Sequence, residues 1–597
     1  MTSISLCTTA LSDFWDTTAN RIVMLGQWCL RNDRRDDWRD LDYEVLPHPW
    51  DDREAMHRAA GYEESVYQSL LECLAVFMNQ VHGESHGLDY WRLILGPWLL
   101  HYVQVIHERH LCLEAALERH PGLRTIGLAA GSFRVPRHTD DHLLGGMDDP
   151  YNLQIYTALL QAMGFDFSSR QLEWEWAGWA PVTGGSLPKR LSRKLRTWWR
   201  AIGPFWARRS PVVLVDMYLP LATVLRFSLH TGLRALWAEM PHPDEWPAGP
   251  DFPASHPLRA ELAGLKPERT DRFTQLVIKT LPDNLPRIYM EGYRVCRDWV
   301  VRCWKRPNVK KLVTSNGLES NEPLKFVAAE LKERGARLIV VQHGGSYGSA
   351  RYNPNERLER QAADEFWSWG WGEDQEGVRP VVSPKLSRMA RMRQTANRNG
   401  RGPAIFYVSN AFARYHYRTW SCPTAAGQAR RYFEWQFRFL QALAPGVRQN
   451  LIFRPYYPYD YGWSLVDMVK QACPDIVLDE AGHDYTRGIA EAELVVCDVN
   501  QTTMLETLTS DIPTIAFWDA GLWELRPEAT PFFTRLHEAG ILHFSPGSAA
   551  EAMNQIWPDV RTWWDGPEAR AARREFSLRF ARQDPAWMSQ WWKALSS

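Results

Sequence analysis

This chain of 597 residues is short of net charge, of paired cysteines and of long apolar runs, and each shortage removes a class of protein. Lys and Arg number 69 against 70 Asp and Glu, a formal net charge of −1. Without an overall basic field a nucleic-acid coat protein is not expected, and no nucleic-acid partner is assigned. The nine cysteines are scattered, Cys296 and Cys303 being the nearest pair, and no CxxC occurs. That argues against a disulfide framework or a zinc ribbon and for reduced thiols in the cytoplasm. The opening MTSISLCTTALSDFWDTT has neither a basic n-region nor an apolar h-region, so no secretory signal is read there. The most apolar helical stretch, 93–106, falls short of the ~20 residues of a membrane span. It also contains Pro97, His101 and Gln104, and is expected as a buried helix. No GxxxxGK[ST] is present, which argues against a P-loop ATPase. His107-Glu-Arg-His110 lacks the HExxH spacing, and Asp40-Leu-Asp42 lies in an acidic run away from any strand end, so no metal site is expected.

What is abundant is tryptophan, 30 residues of 597. Its flat apolar face and polar edge suit sugar and membrane-interface surfaces as well as cores. The length corresponds to roughly three to five folding units, or two large α/β domains. Short β-rich runs recur in the last third, at 404–409, 450–455, 476–479, 494–498, 513–518 and 540–544, with helical patterns between them. This alternation predicts βαβ units and a parallel, doubly wound sheet. Further strands are read at 125–130, 212–216, 312–315 and 337–342, separated by long helices such as 59–79 and 90–119. Residues 388–403, rich in Arg, Asn and Gly, read as an interdomain linker, and 568–595 as terminal helix. The expected fold is α/β and GT-B-like: two Rossmann-like domains, helical insertions in the first, and a C-terminal crossover helix. The expected boundaries are 1–395 for the acceptor side, 403–565 for the nucleotide-sugar side, and 566–597 packing back on the first domain.

Four motifs carry chemistry. In Val341-Gln-His-Gly-Gly-Ser-Tyr-Gly348 an apolar strand runs into His343 and a glycine pair. Ligands of doubly wound sheets bind at strand carboxyl ends, Gly344 and Gly345 permit close backbone approach, and His343 can serve a phosphate or acid–base chemistry. In 495–506 a strand ends at Asp498 and a helix begins near Thr502, so Asn500, Thr502 and Thr503 sit where a helix N-terminus suits an anion. Glu506 is one turn further, placed for ribose hydroxyls, although a plain cap accounts equally for Thr503 and Glu506. In Phe453-Arg-Pro-Tyr-Tyr-Pro-Tyr-Asp-Tyr-Gly-Trp463, Arg454 can pair with a phosphate, with Asp460 and the aromatics beside it. The fourth group supplies carboxylates for an anomeric carbon: Glu291 in Ile288-Tyr-Met-Glu-Gly-Tyr293, and Glu359 and Asp364 ahead of Trp367-Ser-Trp-Gly-Trp371. Separately, 181–210 holds eight Lys/Arg, no Asp/Glu and interleaved Trp, the pattern of an interfacial segment.

Together these motifs resemble a bacterial family of transferases encoded with O-antigen and other surface-polysaccharide genes. The resemblance runs through Leu25-Gly-Gln-Trp-Cys29, His48-Pro-Trp-Asp-Asp-Arg53, Ile288-Tyr-Met-Glu-Gly292, Gln342-His-Gly-Gly345, Trp369-Gly-Trp371 and Asn500-Gln-Thr-Thr-Met-Leu-Glu506. It implies a GT-B glycosyltransferase of cell-surface glycan assembly. More distantly, the Gln-His-Gly element is similar to that of capsule and lipopolysaccharide transferases using CMP-activated Kdo or related ulosonic acids such as sialic-acid-like sugars. Those enzymes use an acidic nucleophile, a part Glu291 would take, with Met-Glu-Gly-Tyr standing where they have Glu-Asp-Gly.

The resulting expectation is a cytoplasmic enzyme, peripheral on the inner membrane through 187–209. It would move a sugar from a nucleotide donor, CMP-sugar favoured, to a lipid-linked glycan, without a tightly bound cofactor or metal. Arg454, Thr502 and Thr503 would hold phosphate, Glu506 ribose, and His343 the leaving group. A UDP- or GDP-hexose donor is the alternative, calling for further donors near Asn410–Tyr415; a non-catalytic glycan-binding protein is the third reading. Trp367, Trp369, Trp371 and Trp463 are expected to flank the sugar cleft.

Overall fold

The computed structural model describes residues 3–178, 210–240, 252–304, 308–396, 404–456, 460–479 and 483–597. Three parallel sheets follow one another along the chain. The first comprises β1 (Ile4–Cys7), β2 (Arg21–Met24), β3 (Tyr43–Val45), β4 (Arg124–Leu128) and β5 (Ser168–Arg170), in the order β3-β2-β1-β4-β5. The second comprises β6 (Val212–Val215), β7 (Ala235–Trp237), β8 (Lys311–Thr314), β9 (Arg337–Val341), β10 (Glu365–Ser368) and β11 (Val378–Pro380), in the order β11-β10-β9-β8-β6-β7. The third comprises β12 (Ile405–Val408), β13 (Leu451–Arg454), β14 (Val477–Leu478), β15 (Leu494–Cys497), β16 (Thr514–Phe517) and β17 (Leu542–His543), in the order β14-β13-β12-β15-β16-β17. Inner strands of the second and third sheets, such as β6, β15 and β16, are runs buried on both faces, as helix-covered parallel sheets require.

The second and third sheets form the GT-B-like pair. The chain returns from one to the other at its end. Helix Pro567–Phe580 packs on helices of the third sheet, and helix Trp587–Ser596 lies on the second. There Trp587, Trp591 and Leu595 join Val212, Leu214, Ile339 and Trp367 in one buried cluster.

Two features differ from the reading of the sequence. First, a separate five-stranded sheet accompanies the long helices Arg53–His82 and Leu88–Arg119. Its first three strands have only three or four residues each, too short for a period-2 pattern to show. The two helices approach closely where Gly96 faces the Tyr67 hydroxyl, 2.8 Å from where a Cβ would stand. Second, the expected linker begins inside helix Pro384–Thr395, capped by the Ser383 hydroxyl. Leu386, Met389, Ala390 and Arg393 form its buried stripe at helical spacing, and Arg393 donates to the carbonyls of Ala490 and Ala492 at 2.9 and 2.7 Å. Residues 397–403 and the basic stretch up to 209 lie outside the described residues.

Candidate active site

In an open parallel sheet, ligands bind beyond the strand carboxyl ends where strand order reverses. That reversal falls between β6 and β8 in the second sheet and between β12 and β15 in the third. The loops leaving all four strands line one cleft of about 640 Å³. The second sheet contributes Tyr218, Asn316, Glu319, His343, Gly344, Gly345, Tyr347 and Lys385; the third contributes 408–413, Arg418, Arg454, Tyr485 and Gln501–Thr503. The corresponding crevice of the first sheet, between β1 and β4, is filled by the chain's own groups. The Ala10 amide donates there to Asp149, which also takes hydrogen bonds from Arg31 (3.1 Å), Arg414 (2.6 Å) and Tyr415 (2.5 Å).

The two halves meet at the glycine pair. The Gly345 amide donates to Thr502 Oγ1 at 3.0 Å, and a Cβ on Gly345 would stand 2.3 Å from the Gln501 carbonyl carbon and 2.6 Å from the Thr502 nitrogen. Only glycine admits this backbone-to-backbone approach. Gly344 is looser, with Thr502 Oγ1 its nearest neighbour at 3.7 Å. Gln342 braces the motif from behind: its Oε1 accepts from the Trp369 amide at 2.9 Å and from Trp371 Nε1 at 2.8 Å.

His343 lies near two glutamates, Glu359 and Glu319. Its Nδ1 is 3.4 Å from Glu359 Oε1 and 3.4 Å from the Tyr347 hydroxyl, which donates to Glu359 Oε2 at 3.0 Å. Burial drives the imidazole pKa down to about 4; Glu319 opposes that, and Lys385 and Arg418 reinforce it, so the ring is neutral at physiological pH. Burial also pushes Glu359 well above the usual carboxylate range, with nearby Glu319 and Glu356 adding to the rise. Glu319 goes the other way. Against the cost of its burial, the His101 imidazole and the Arg418 guanidinium hold its carboxyl down to about 2.

On the facing sheet, the N-terminus of helix Thr502–Thr509 lines the cleft through Gln501, Thr502 and Thr503, the end of a helix where the opening amides lack intrahelical acceptors. Thr503 Oγ1 lies 2.5 Å from the Tyr485 hydroxyl, which also reaches Glu506 Oε2 at 3.2 Å. Arg454 lines the cleft, ion-paired to Asp479 and stacked over Tyr485 at 5.8 Å. Lys385 bridges the halves, 3.4 Å from Glu506 and over the Tyr218 ring at 4.4 Å.

Of the residues expected from sequence, the structure gathers His343, Gly344, Gly345, Arg454, Thr502 and Thr503 on the cleft wall. It places Glu359 and Glu506 one layer behind, against Tyr347 and Tyr485. Asn500 is buried beside Ser349, to whose hydroxyl it donates at 3.2 Å. Asp460 caps helix Leu465–Ala472 through the amides of Ser464 and Leu465. Glu291 is elsewhere, in a two-pronged ion pair with Arg259 at 2.8 Å on each arm. Its neighbour Tyr289 turns inward to Thr139, Glu322 and Lys325. Asp364 sits at the opposite end of β9 from His343, accepting from the Leu338 amide and paired with Lys332. The tryptophans correct the sequence reading too: Trp367, Trp369, Trp371 and Trp463 are wholly buried, and among the described residues Trp420 is the tryptophan on the cleft wall. Trp367 packs against Trp591 at 5.1 Å, holding the last helix to the sheet.

Glu319, Arg418, Lys385 and Tyr218 were not read from the sequence. The strand-end rule applied to every predicted strand would have reached three of them, since they follow β6, β8 and β12.

Two facing doubly wound sheets whose switch points close on one polar cleft define a GT-B-like α/β protein. The chain matches the LIC12162 family of transferases over residues 4–595 and belongs to that family. No curated protein matches the sequence. Among solved structures, MurG of Acinetobacter baumannii is 12% identical, with 65% of this chain and 99% of that one covered and a TM-score of 0.32. The Anabaena protein Alr3699/HepE in complex with UDP and glucose is 12% identical, with 64% and 99% covered and a TM-score of 0.35.

Proposed function

We propose that this transferase is a glycosyltransferase drawing on a nucleotide-sugar donor. One observation carries the reading: the switch points of two parallel sheets face each other across a single cleft, with a phosphate-suited helix N-terminus and Arg454 on one wall and His343 on the other. The donor nucleotide would lie on the third sheet, in the segment 403–565, its phosphate on Thr502, Thr503 and Arg454. Glu506, behind Tyr485 and Thr503, would hold those hydroxyls rather than meet ribose directly. The acceptor would enter over the second sheet, within 1–395, and His343 in its neutral state would donate to the leaving phosphate.

The CMP donor favoured from sequence gains no support of its own from the site. The segment 409–413 lines the same cleft as Thr502, and a UDP- or GDP-sugar would set its second phosphate there. The donor set also suits metal-independent transfer, since Glu319 is the one carboxylate among the described wall residues and is ion-paired with Arg418. For the acceptor we retain a lipid-linked surface glycan, and for 187–209 an anionic membrane surface. No helix among the described residues is long and apolar enough to cross a membrane.

A thermal-shift panel of CMP, UDP, GDP and their sugars tests the reading. Stabilisation by UDP or GDP and their sugars is expected. A flat panel overturns nucleotide-sugar transfer in favour of a glycan-binding role, and stabilisation by CMP alone restores the first donor.

A further inference from the structure

We infer that Glu319 is the catalytic carboxylate of the cleft, held in place across it by Arg418 of the facing sheet. The inference rests on the glycosyl-transfer reading and names a residue that the motifs did not reach.

Glu319 stands on the turn that leaves β8, next to β9 and the His343 loop at its end. The turn is rigid. A Cβ on Gly317 would meet Leu324 at 2.3 Å and the Asp216 carboxylate at 2.8 Å. Asn321 closes the far end, capping helix Glu322–Glu333 through the Leu324 amide and donating to Asp216 Oδ2 at 2.5 Å. Asp216 and Tyr218 are themselves strained, with φ of 45° and 52°, as residues at functional sites often are.

The carboxylate is then gripped from the other sheet. Arg418, stacked on Tyr417 and Trp420 at 4.8 and 4.6 Å, donates from Nη1 to Glu319 Oε1 and to Asn355 Oδ1, both at 3.1 Å. Glu319 keeps 29% of its side chain exposed on the cleft wall, whereas Glu359 and Glu291 keep less than a tenth. The ion pair leaves part of the carboxylate open on the cleft wall, where substrate must lie. Glu319 and Glu359, both near His343, are also shifted in opposite directions. Divergent environments for paired acids are how acid and base roles are separated at a site.

The acceptor hydroxyl oxygen bonds to the anomeric carbon of the donor, and the bond from that carbon to the nucleotide phosphate breaks, its electron pair leaving with the phosphate. The hydroxyl proton passes to the Glu319 carboxylate. A weakly basic carboxylate suffices, because the attacking oxygen becomes strongly acidic as its new bond forms.

The test takes the full-length protein and whichever of UDP-glucose, UDP-N-acetylglucosamine, GDP-mannose or CMP-N-acetylneuraminate stabilises it most. It follows release of free nucleotide with water as acceptor. Glu319→Gln and Glu319→Ala are expected to lose about 100-fold or more in turnover, the scale of a general base, while keeping the nucleotide-induced thermal shift. Added formate or azide is expected to restore turnover to Glu319→Ala, which a merely structural role would not allow. Either variant within about 3-fold of the wild type, or a folded, nucleotide-binding Glu319→Ala that formate and azide leave inactive, overturns the inference. Should Glu319→Ala not fold, the isosteric Glu319→Gln decides by its turnover. If no sugar nucleotide stabilises or is cleaved by the wild type, the glycosyl-transfer reading itself fails, and the inference with it.

Discussion

Buried titratable groups at the ends of β9 and β15 set how this protein responds to pH. His343, with its pKa near 4, carries no charge across the physiological range. The rate of nucleotide release is therefore expected to show no limb near pH 6.5, the ordinary imidazole value. A pH–rate profile checks this, and a limb at 6–7 that vanishes in His343→Gln would contradict it. Asp498 behaves in the opposite sense. Burial raises its carboxyl to about 7 in spite of hydrogen bonds from Tyr407 (2.9 Å) and Gln436 (2.6 Å). Between the unfolded value near 4 and the folded value the native state binds more protons than the unfolded one. The stability Asp498 contributes is thus complete below about pH 4 and lost as pH rises through 7. Asp498→Asn is expected to flatten that fall, an effect of up to about 4 kcal/mol, read as a smaller difference in Tm between pH 5 and pH 8.

At the scale of elements, the junction between the His343 loop and helix Thr502–Thr509 depends on one missing side chain. Gly345→Ala forces a Cβ into the Gln501–Thr502 backbone and is expected to cost about 1–3 kcal/mol, while lowering activity by parting the cleft walls. Gly344→Ala meets nothing nearer than 3.7 Å and is expected to leave Tm close to that of the wild type. Denaturation curves of the two variants give the comparison; equal losses would refute the docking role of Gly345.

The whole molecule is tied together by the loop that leaves β12. It reaches out of the third sheet into the first, where Arg414 and Asp149 form a fully buried ion pair. Beyond it, Arg109 donates to the His416 carbonyl at 2.8 Å and Thr419 to Glu63 at 2.9 Å. Removing one partner strands a buried charge, so Asp149→Ala is expected to cost about 3–5 kcal/mol. Asp149→Leu combined with Arg414→Met is expected to cost less than Asp149→Ala, as chemical denaturation would measure. By the same argument, a fragment of residues 403–565 is expected not to fold as a soluble unit. A cooperative unfolding transition from that fragment would show that the first sheet is dispensable to it.

The strands of the last third are legible in the chain because helix-covered parallel strands are apolar on both faces. The apolar runs 404–409, 450–455 and 494–498 contain β12, β13 and β15. The His-Gly-Gly and Asn-Gln-Thr-Thr motifs were legible for a related reason: polar residues abruptly ending a buried strand have few packing roles. The tryptophans misled, because a ring suited to sugar is equally suited to a core, and burial is set by neighbours distant in sequence. Glu319 was invisible for the same cause. An acid in a turn resembles any solvated acid until a loop 99 residues later brings Arg418 against it. Local pattern and strand hydrophobicity sufficed for the architecture and for the two motifs that meet in the cleft. The charge states of the acids, and which of them faces the cleft, arose only when three sheets folded together, because burial and ion pairing are properties of the assembled interior.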